Sequence, residues 1–550
     1  MRNASTVGVL AVLSIATGAA QPVIRADATG VVSNATYAAR GLPNSGIAQG
    51  SIFAIFGTNL GPAALTQQPG YPLNTTLGGT SVQVTVGGVS KDAIPAYVVE
   101  TQIGAILPSD TPVGEGTVTV TFNGQTSAPH AITVVPSNFG TFTLNQQGSG
   151  PAAVMDASTF QPFSLTSPGK PGQIITIWGT GLGAIAGDDK QTPPVGRLPG
   201  VPVEVFIGGK PARIVYSGRA PCCSGIDQVN VIVPDGPSGC YNSILVKIDN
   251  SIGNVTTMPI SAGGACSDTF GISPADLTPL LNRPSFSTGR ISLDCTTSLS
   301  SNPMGPGANR LESVEADFNR YTPVQYAAAQ GPVQQVSSGS CGVLSFLSFP
   351  QQRPPGADTD PVVPPGLDAG PALTVTGPNG SMSLPWSSYS GNYWTVLSGD
   401  GTDPLPWFIP DTGGSFTFTG LGGPDVGAFN VSFLLAAPLA WANVEQITDI
   451  QRTQGVTVNW TGGDPTSYVI IQGTVVTNPN GPGVFALFSC TAPTSAGTFT
   501  VPAAVLLAMP VGAGGLEVFN HTIPKKVTIP NIDLAYAESY FDTQKGVNYK

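Results

Sequence analysis

The sequence predicts an all-β protein: tandem Ig-like β-sandwiches followed by a C-terminal β-sandwich region. Three observations predict it. Glycine (69) and proline (52) together exceed a fifth of the 550 residues, charged residues make only 10%, and short β-branched runs recur between Gly, Pro and Asn turns. Surface helices are built largely from Lys, Glu and Arg and tolerate Gly and Pro poorly, so a mainly helical protein is excluded. A hydrophobic fraction of 41% excludes wholesale disorder. At roughly 100–200 residues per domain, the chain holds about three or four domains.

The N-terminus carries Arg2, an apolar run from Val7 to Ala16 and small residues up to Ala20. A basic residue, a short apolar stretch and small residues before a polar start predict a secretory signal peptide over residues 1–20. The run is too short to span a bilayer, and no transmembrane segment is expected after its removal. With a net charge of −11, no field exists to gather polyanions, so nucleic acid is excluded as a partner.

Self-comparison justifies the first two domains. GSIFAIFGTNLG (50–61) returns as GQIITIWGTGLG (172–183), TSVQVTVGG (80–88) as VPVEVFIGG (201–209), and TQIGAILP (101–108) as DQVNVIVP (227–234). Runs of β-branched residues between turn residues read as sandwich strands. A period near 120 residues is a repeat of whole domains, not a propeller blade or solenoid turn. The first copy spans 28–138, needs no cysteine and is expected to fold alone; the second spans 139–268 and carries four cysteines.

These motifs resemble a known family, the secreted Ig-like repeat domains found in soil Acidobacteria such as Solibacter, similar in style to IPT/TIG sandwiches. The resemblance rests on the G-x-x-x-x-[IF]-[FW]-G-T-x-L-G turn, the V-x-[VI]-G-G hairpin and the Gln-led strand ending in Pro, and covers about residues 28–265. It implies a bacterial extracellular protein of unassigned activity and carries over no catalytic residue.

Downstream, 272–350 reads as a β-rich segment with ISLDCTT, SVEADF and VLSFLSF. Residues 351–371 hold six prolines and read as a linker or long loop, and 372–550 as a C-terminal β-sandwich with runs such as YWTVL, SFTFTG, FNVSFLL, YVIIQG and LEVFN. Whether 272–350 belongs with that sandwich is open at this level.

Seven cysteines in a secreted chain favour disulfides over metal, since no C-x2-C spacing occurs and the only histidines, His130 and His521, lie far away in sequence. Cys222 and Cys223 are each expected to pair with one of Cys240 and Cys266, and Cys295 with Cys341, leaving Cys490 as the odd residue.

The motif IITIWGTGLGA fits a dinucleotide fingerprint from Gly179 to Ala184, but no helix can follow in IAGDDKQTPPVGRLPG, so it reads as a tight turn. Neither histidine sits beside a nucleophile elbow, and both read as structural. Asp400, Asp403, Asp425, Glu445 and Asp464 read as turn residues rather than a glycosidase pair. Asp358 with Asp360, and Asp400 with Asp403, are weak calcium candidates in Gly-rich loops without a complete loop signature, so neither metal nor cofactor is expected. Trp386, Tyr389, Tyr393, Trp394 and Trp407 cluster in sequence. Trp386, Trp394 and Trp407 are sugar-stacking candidates, but core packing is favoured, above all for Trp394 inside YWTVL, and Trp178 and Trp460 are expected in cores.

The expected function is therefore non-catalytic: a secreted protein acting by surface contacts in adhesion, matrix or cell-surface interaction, with an extracellular protein or polysaccharide partner. The alternative is a carbohydrate-binding or carbohydrate-active protein with its site in the C-terminal region.

Overall fold

The computed structural model describes residues 20–194, 196, 198, 200–267, 273–299, 310–323, 325–326, 336–347, 366–388, 390–398, 407–477 and 483–550. The first copy has six main strands: β1 Ile52–Thr58, β2 Thr80–Val86, β3 Val89–Val99, β4 Gln102–Ile106, β5 Gly114–Phe122 and β6 His130–Val135. The second repeats them as β7 Ile174–Thr180, β8 Val203–Ile207, β9 Lys210–Arg219, β10 Asp227–Ile232, β11 Gly239–Ile248 and β12 Ser251–Ile260. Both copies pair in one order, β1-β4-β3-β2-β5-β6 and β7-β10-β9-β8-β11-β12.

In each copy one strand serves both layers of the sandwich. The first half of β3 pairs with β2 and its second half with β4, as β9 pairs first with β8 and then with β10. The Gly-Gly hairpins explain the shared motif: Gly87, Gly88, Gly208 and Gly209 all have positive φ, as a two-residue turn between twisted strands requires. Alternating residues such as Phe53, Ile55, Val82, Val84, Val118 and Val120 fill the first core, and Ile175, Ile177, Val205, Val229 and Val231 the second. Trp178, expected in that core, is only half-buried, because Ile175 and Ile177 take the inward positions of β7.

A polar and apolar joint locks the copies together. Ser109 donates to Asp189 through its backbone N–H (2.7 Å) and Oγ (2.9 Å), the Ile52 N–H donates to Thr180 Oγ1 (2.9 Å), and Ile226 packs against Ile52, Ile94 and Ile106.

The C-terminal region joins strands from 272–350 with strands from 372–550. Its strands are β13 Phe286–Ser298, β14 Arg310–Tyr321, β15 Cys341–Leu347, β16 Ala372–Gly377, β17 Gly380–Ser387, β18 Asn392–Ser398, β19 Gly414–Gly420, β20 Phe429–Leu435, β21 Tyr468–Val476, β22 Val484–Pro493, β23 Gly512–His521 and β24 Leu534–Tyr549. They form one sheet in the order β15-β22-β21-β23-β24-β13-β14-β18-β17-β16-β19-β20. The described strands of 272–350 are thus part of the C-terminal fold, a point the sequence left open, because β13 runs parallel to β24 from Thr288↔Leu534 to Ser298↔Gln544. One face of this sheet covers two cores. Ile291, Leu293, Val314, Phe318, Phe416 and Phe418 belong to one, and Val469, Ile471, Phe488, Leu516 and Val518 to the other.

Residues 1–19 and 351–365 lie outside the described residues, and with them most of the expected signal peptide and linker. No helix among the described residues is long and apolar enough to cross a membrane.

Candidate functional site

The cysteines pair differently from the expectation. Cys222 joins Cys223, Cys240 joins Cys266 and Cys341 joins Cys490, while Cys295 is free and buried. Cys341 and Cys490 face each other across β15 and β22. Cys295, on β13, is separated from β15 by four intervening strands and points into the other core, so it cannot reach Cys341. Burial pushes the Cys295 thiol up to about 12. Cys222 and Cys223 sit in a loop that docks on the first copy, where the Ser224 N–H donates to Tyr71 Oη (2.7 Å), and the same loop is held to its own domain by Thr180 Oγ1 donating to the Gly225 carbonyl (2.6 Å).

The turn of the dinucleotide-like motif is filled from within the chain. The backbone N–H groups of Gly181 and Leu182 donate to Asp227 Oδ2 (2.7 and 2.8 Å), and Asp227 Oδ1 accepts from buried Arg219 (2.7 Å). An internal carboxylate stands where a phosphate would bind. Burial raises Asp227 to about 6 against the pull of Arg219 and the two amides.

The three candidate tryptophans do not come together. Trp386 packs at the margin of a core with its ring 4.9 Å from Tyr393, and Trp407 lies under the Arg310 guanidinium (5.2 Å). Trp394, expected in the core, is 49% exposed. The strand alternation explains this: Tyr393 takes the inward position, donating to the Gly370 carbonyl (2.7 Å) and accepting from the Ala369 N–H (2.8 Å), so its neighbour must face out. Trp460 is buried as expected, with Nε1 donating to the Thr494 carbonyl (2.7 Å). Asp425 and Glu445 are exposed, and Asp464 caps its own turn by accepting from the Thr466 N–H (2.8 Å). Asp358, Asp360, Asp400, Asp403 and Tyr389 lie outside the described residues.

Sequence reading missed the most concentrated group of polar side chains, on the face of the large sheet turned away from both cores. Because β13 sends Ile291, Leu293 and Cys295 inward, Arg290, Ser292 and Asp294 face outward. Register then lines up one row as Trp394, Glu315, Ser292 and Glu538, and the next as Val396, Ser313, Asp294, Tyr540, His521 and Tyr468. The first row crosses four strands and the second six, from β18 to β21, so at ~4.8 Å per strand they are about 14 and about 24 Å long.

The side chains are tied to one another. Arg290 donates to Glu538 and lies 3.8 Å from Glu315, and Asn392 donates to Glu315. Tyr468 Oη and His521 Nδ1 are 3.0 Å apart, and the His521 ring stacks between Tyr468 (5.0 Å) and Tyr540 (5.6 Å). Burial raises Asp294 and Asp542 to about 7 each and Asp317 to about 6. The signal was present as Arg, Asp and Glu alternating with apolar residues in RISLD, SVEAD and ESYFD, but only register shows that the three segments share a face.

Cavities lie elsewhere. One of about 510 Å³ is lined by Pro22, Asp27, Arg40 and His130, and one of about 270 Å³ by Phe206, Leu245 and Pro502 to Val505. Burial, followed by the nearby charge of Arg40, lowers the His130 pKa. Among the described residues, no three His, Cys, Asp or Glu side chains are grouped to hold a metal ion.

No family model and no curated protein matches the chain. Among solved structures it is similar to SGBP-B from a complex xyloglucan utilization locus in Bacteroides uniformis, at 11% identity over 86% of this chain and 100% of that one, with a TM-score of 0.16. It is similar to SGBP-B of the Bacteroides ovatus mixed-linkage glucan utilization locus in complex with mixed-linkage heptasaccharide, at 13% identity over 50% and 67% of the two chains, TM-score 0.19. Domains 5–6 of the S-layer protein SbsC match at 13% identity over 44% of this chain and all of theirs, TM-score 0.16. TM-scores this low carry no argument about this chain.

Proposed function

We propose that this is a secreted, non-catalytic protein that works by surface contact, and that the outer face of the C-terminal sheet is its contact surface for an extracellular polysaccharide. The observation that carries the reading is Trp394, half exposed beside the partly exposed Glu315 at one end of a row whose further members, Ser292 and Glu538, are buried. A large aromatic left in water beside fixed hydrogen-bonding groups matches how a sugar ring is held, by stacking below and hydrogen bonds around. The leader-like N-terminus and three disulfides support an oxidising, extracellular setting, in keeping with the Acidobacteria-type Ig-like repeats that the first two domains resemble.

The test is retention of the full chain on insoluble polysaccharides, with and without Trp394→Ala. Loss of retention at unchanged melting temperature is expected; retention that ignores Trp394 overturns this choice of surface. A second reading, glycan hydrolysis, is favoured by one observation: Asp294, raised to about 7, is electrostatically coupled to Glu315 and Glu538, which resembles an acid beside ionised partners. Release of reducing ends that Asp294→Asn abolishes would replace the binding reading with that one.

A further inference from the structure

The outer face is short of positive charge. Six carboxyl groups share it: Asp294 on β13, Glu315 and Asp317 on β14, Glu517 on β23, and Glu538 and Asp542 on β24. Among the described residues, Arg290 is the one lysine or arginine in ion-pair contact with any of them. Two of the carboxylates are also incompletely satisfied. Asp294 and Asp542 are 8% and 6% exposed, and Oδ1 of each is buried without a hydrogen-bond partner. A buried carboxyl oxygen without a partner is costly, so the fold leaves hydrogen-bonding capacity unmet at this one place.

We infer that the ligand of this face carries primary ammonium groups, and is an amino-sugar polymer whose rings lie over Trp394 and Phe519 and whose ammonium groups sit above Glu315, Asp317 and Glu517. The inference rests on the contact reading above and adds the chemical class of the polysaccharide. Four arguments lead to it. An ammonium brings three donors and one positive charge, the two things the face lacks. A divalent ion needs converging oxygens at roughly 2.3–2.6 Å, and the carboxyls are instead spread over four strands. An acidic polymer would meet five more carboxyls than guanidinium groups. Finally, the half-buried Phe519, 6.3 Å from Tyr540 and four strands from exposed Trp394, gives the carboxyl-lined face a second aromatic surface, which favours an extended chain of sugar rings over a small polyamine. The raised Asp294, Asp317 and Asp542 agree, since each ionises at a cost that a bound cation would relieve.

The experiment compares retention of the full chain on chitosan, chitin, cellulose and immobilised polylysine near pH 6. Retention on chitosan is expected to exceed that on chitin and cellulose by about tenfold or more, and to fall steeply at about 0.5 M salt, where exposed charge pairs are screened. The double variant Glu315→Gln/Asp317→Asn, at half-exposed positions, should weaken chitosan retention about tenfold, as the loss of charge-assisted hydrogen bonds implies, without lowering the melting temperature. Equal retention on chitosan and cellulose, lost with Trp394→Ala but indifferent to the double variant, overturns the ammonium inference and leaves the contact reading standing. Folded protein that none of the polysaccharides retains overturns both. Polylysine retention equal to that on chitosan and indifferent to Trp394→Ala overturns the sugar polymer in favour of a basic polypeptide.

Discussion

Removing the disulfides one at a time should produce three different losses, ranked by how much chain each closes. Cys341 and Cys490 are 149 residues apart, Cys240 and Cys266 are 26 apart, and Cys222 and Cys223 are neighbours. The loop-closure entropy that a cross-link removes from the unfolded chain corresponds to ~5 kcal/mol for the first and ~3.5 kcal/mol for the second. The vicinal pair closes no loop and should contribute almost nothing to global stability. Alanine pairs at each site, followed by urea unfolding, provide the assay, with tryptophan emission reporting on the C-terminal unit, which holds Trp441 and Trp460 in its core. The Cys341/Cys490 variant should lower the midpoint of that unit sharply. Non-reducing peptide maps should join Cys341 to Cys490, and Cys295 should react with thiol reagents only after unfolding. If the Cys341/Cys490 and Cys222/Cys223 variants lose equally little, the β15–β22 pairing that places the long-range bridge is wrong.

Three further outcomes follow from the packing. Trp394→Ala should leave stability nearly unchanged, whereas Trp460→Ala should cost ~3–5 kcal/mol through the cavity it leaves; comparable losses would refute the outward placement of Trp394. Asp294, with Arg290, Glu315, Glu538 and Tyr540 around it, has a folded pKa of about 7 against 3.8 when free, so the folded state holds its proton more tightly. Its contribution is therefore greatest at low pH and is lost as pH rises from about 4 to about 7, and Asp294→Asn should flatten that part of the stability profile; an unchanged slope would refute the assignment. Asp227→Ala should destabilise the second copy by ~3–5 kcal/mol, because it leaves Arg219 buried without a counter-charge and the Gly181 and Leu182 N–H groups without an acceptor; a thermal scan showing less than ~1 kcal/mol would mean the pair is not buried as described.

Much of the first half was legible in the sequence because its determinants are local. Gly87-Gly88 and Gly208-Gly209 specify hairpins, VQVTV and VEVFI specify strands with one inward face, and the order in which these motifs recur reports one domain twice. The turn reading of Gly179 to Ala184 held for the same reason, although nothing local announced that Asp227, 46 residues beyond Gly181, would fill the site of a phosphate. Trp394 shows where local reasoning ends. Both phases of YWTVL put an aromatic inward, and the choice between them came from Tyr393 Oη, which needed the Gly370 carbonyl and the Ala369 N–H.

The outer face was illegible for a related reason, and the cause also says what the face depends on. Asp294 and Tyr540 are neighbours only because β13 pairs in parallel with β24, strands that lie at opposite ends of the C-terminal region. Parallel partners need a crossover between them, and here most of the C-terminal half supplies it. No local motif can encode that register; the apolar residues Ile291, Leu293, Ala535 and Ala537 fix it by having to face one core. A slip of one residue would turn Arg290, Asp294, Glu538 and Asp542 into that core and bring Leu293 and Cys295 out, so the penalty against slippage is the loss of the core itself. The carboxylates of the face are thus held in place by the hydrophobic residues behind them, which is why charge can be concentrated there without counter-ions to anchor each group.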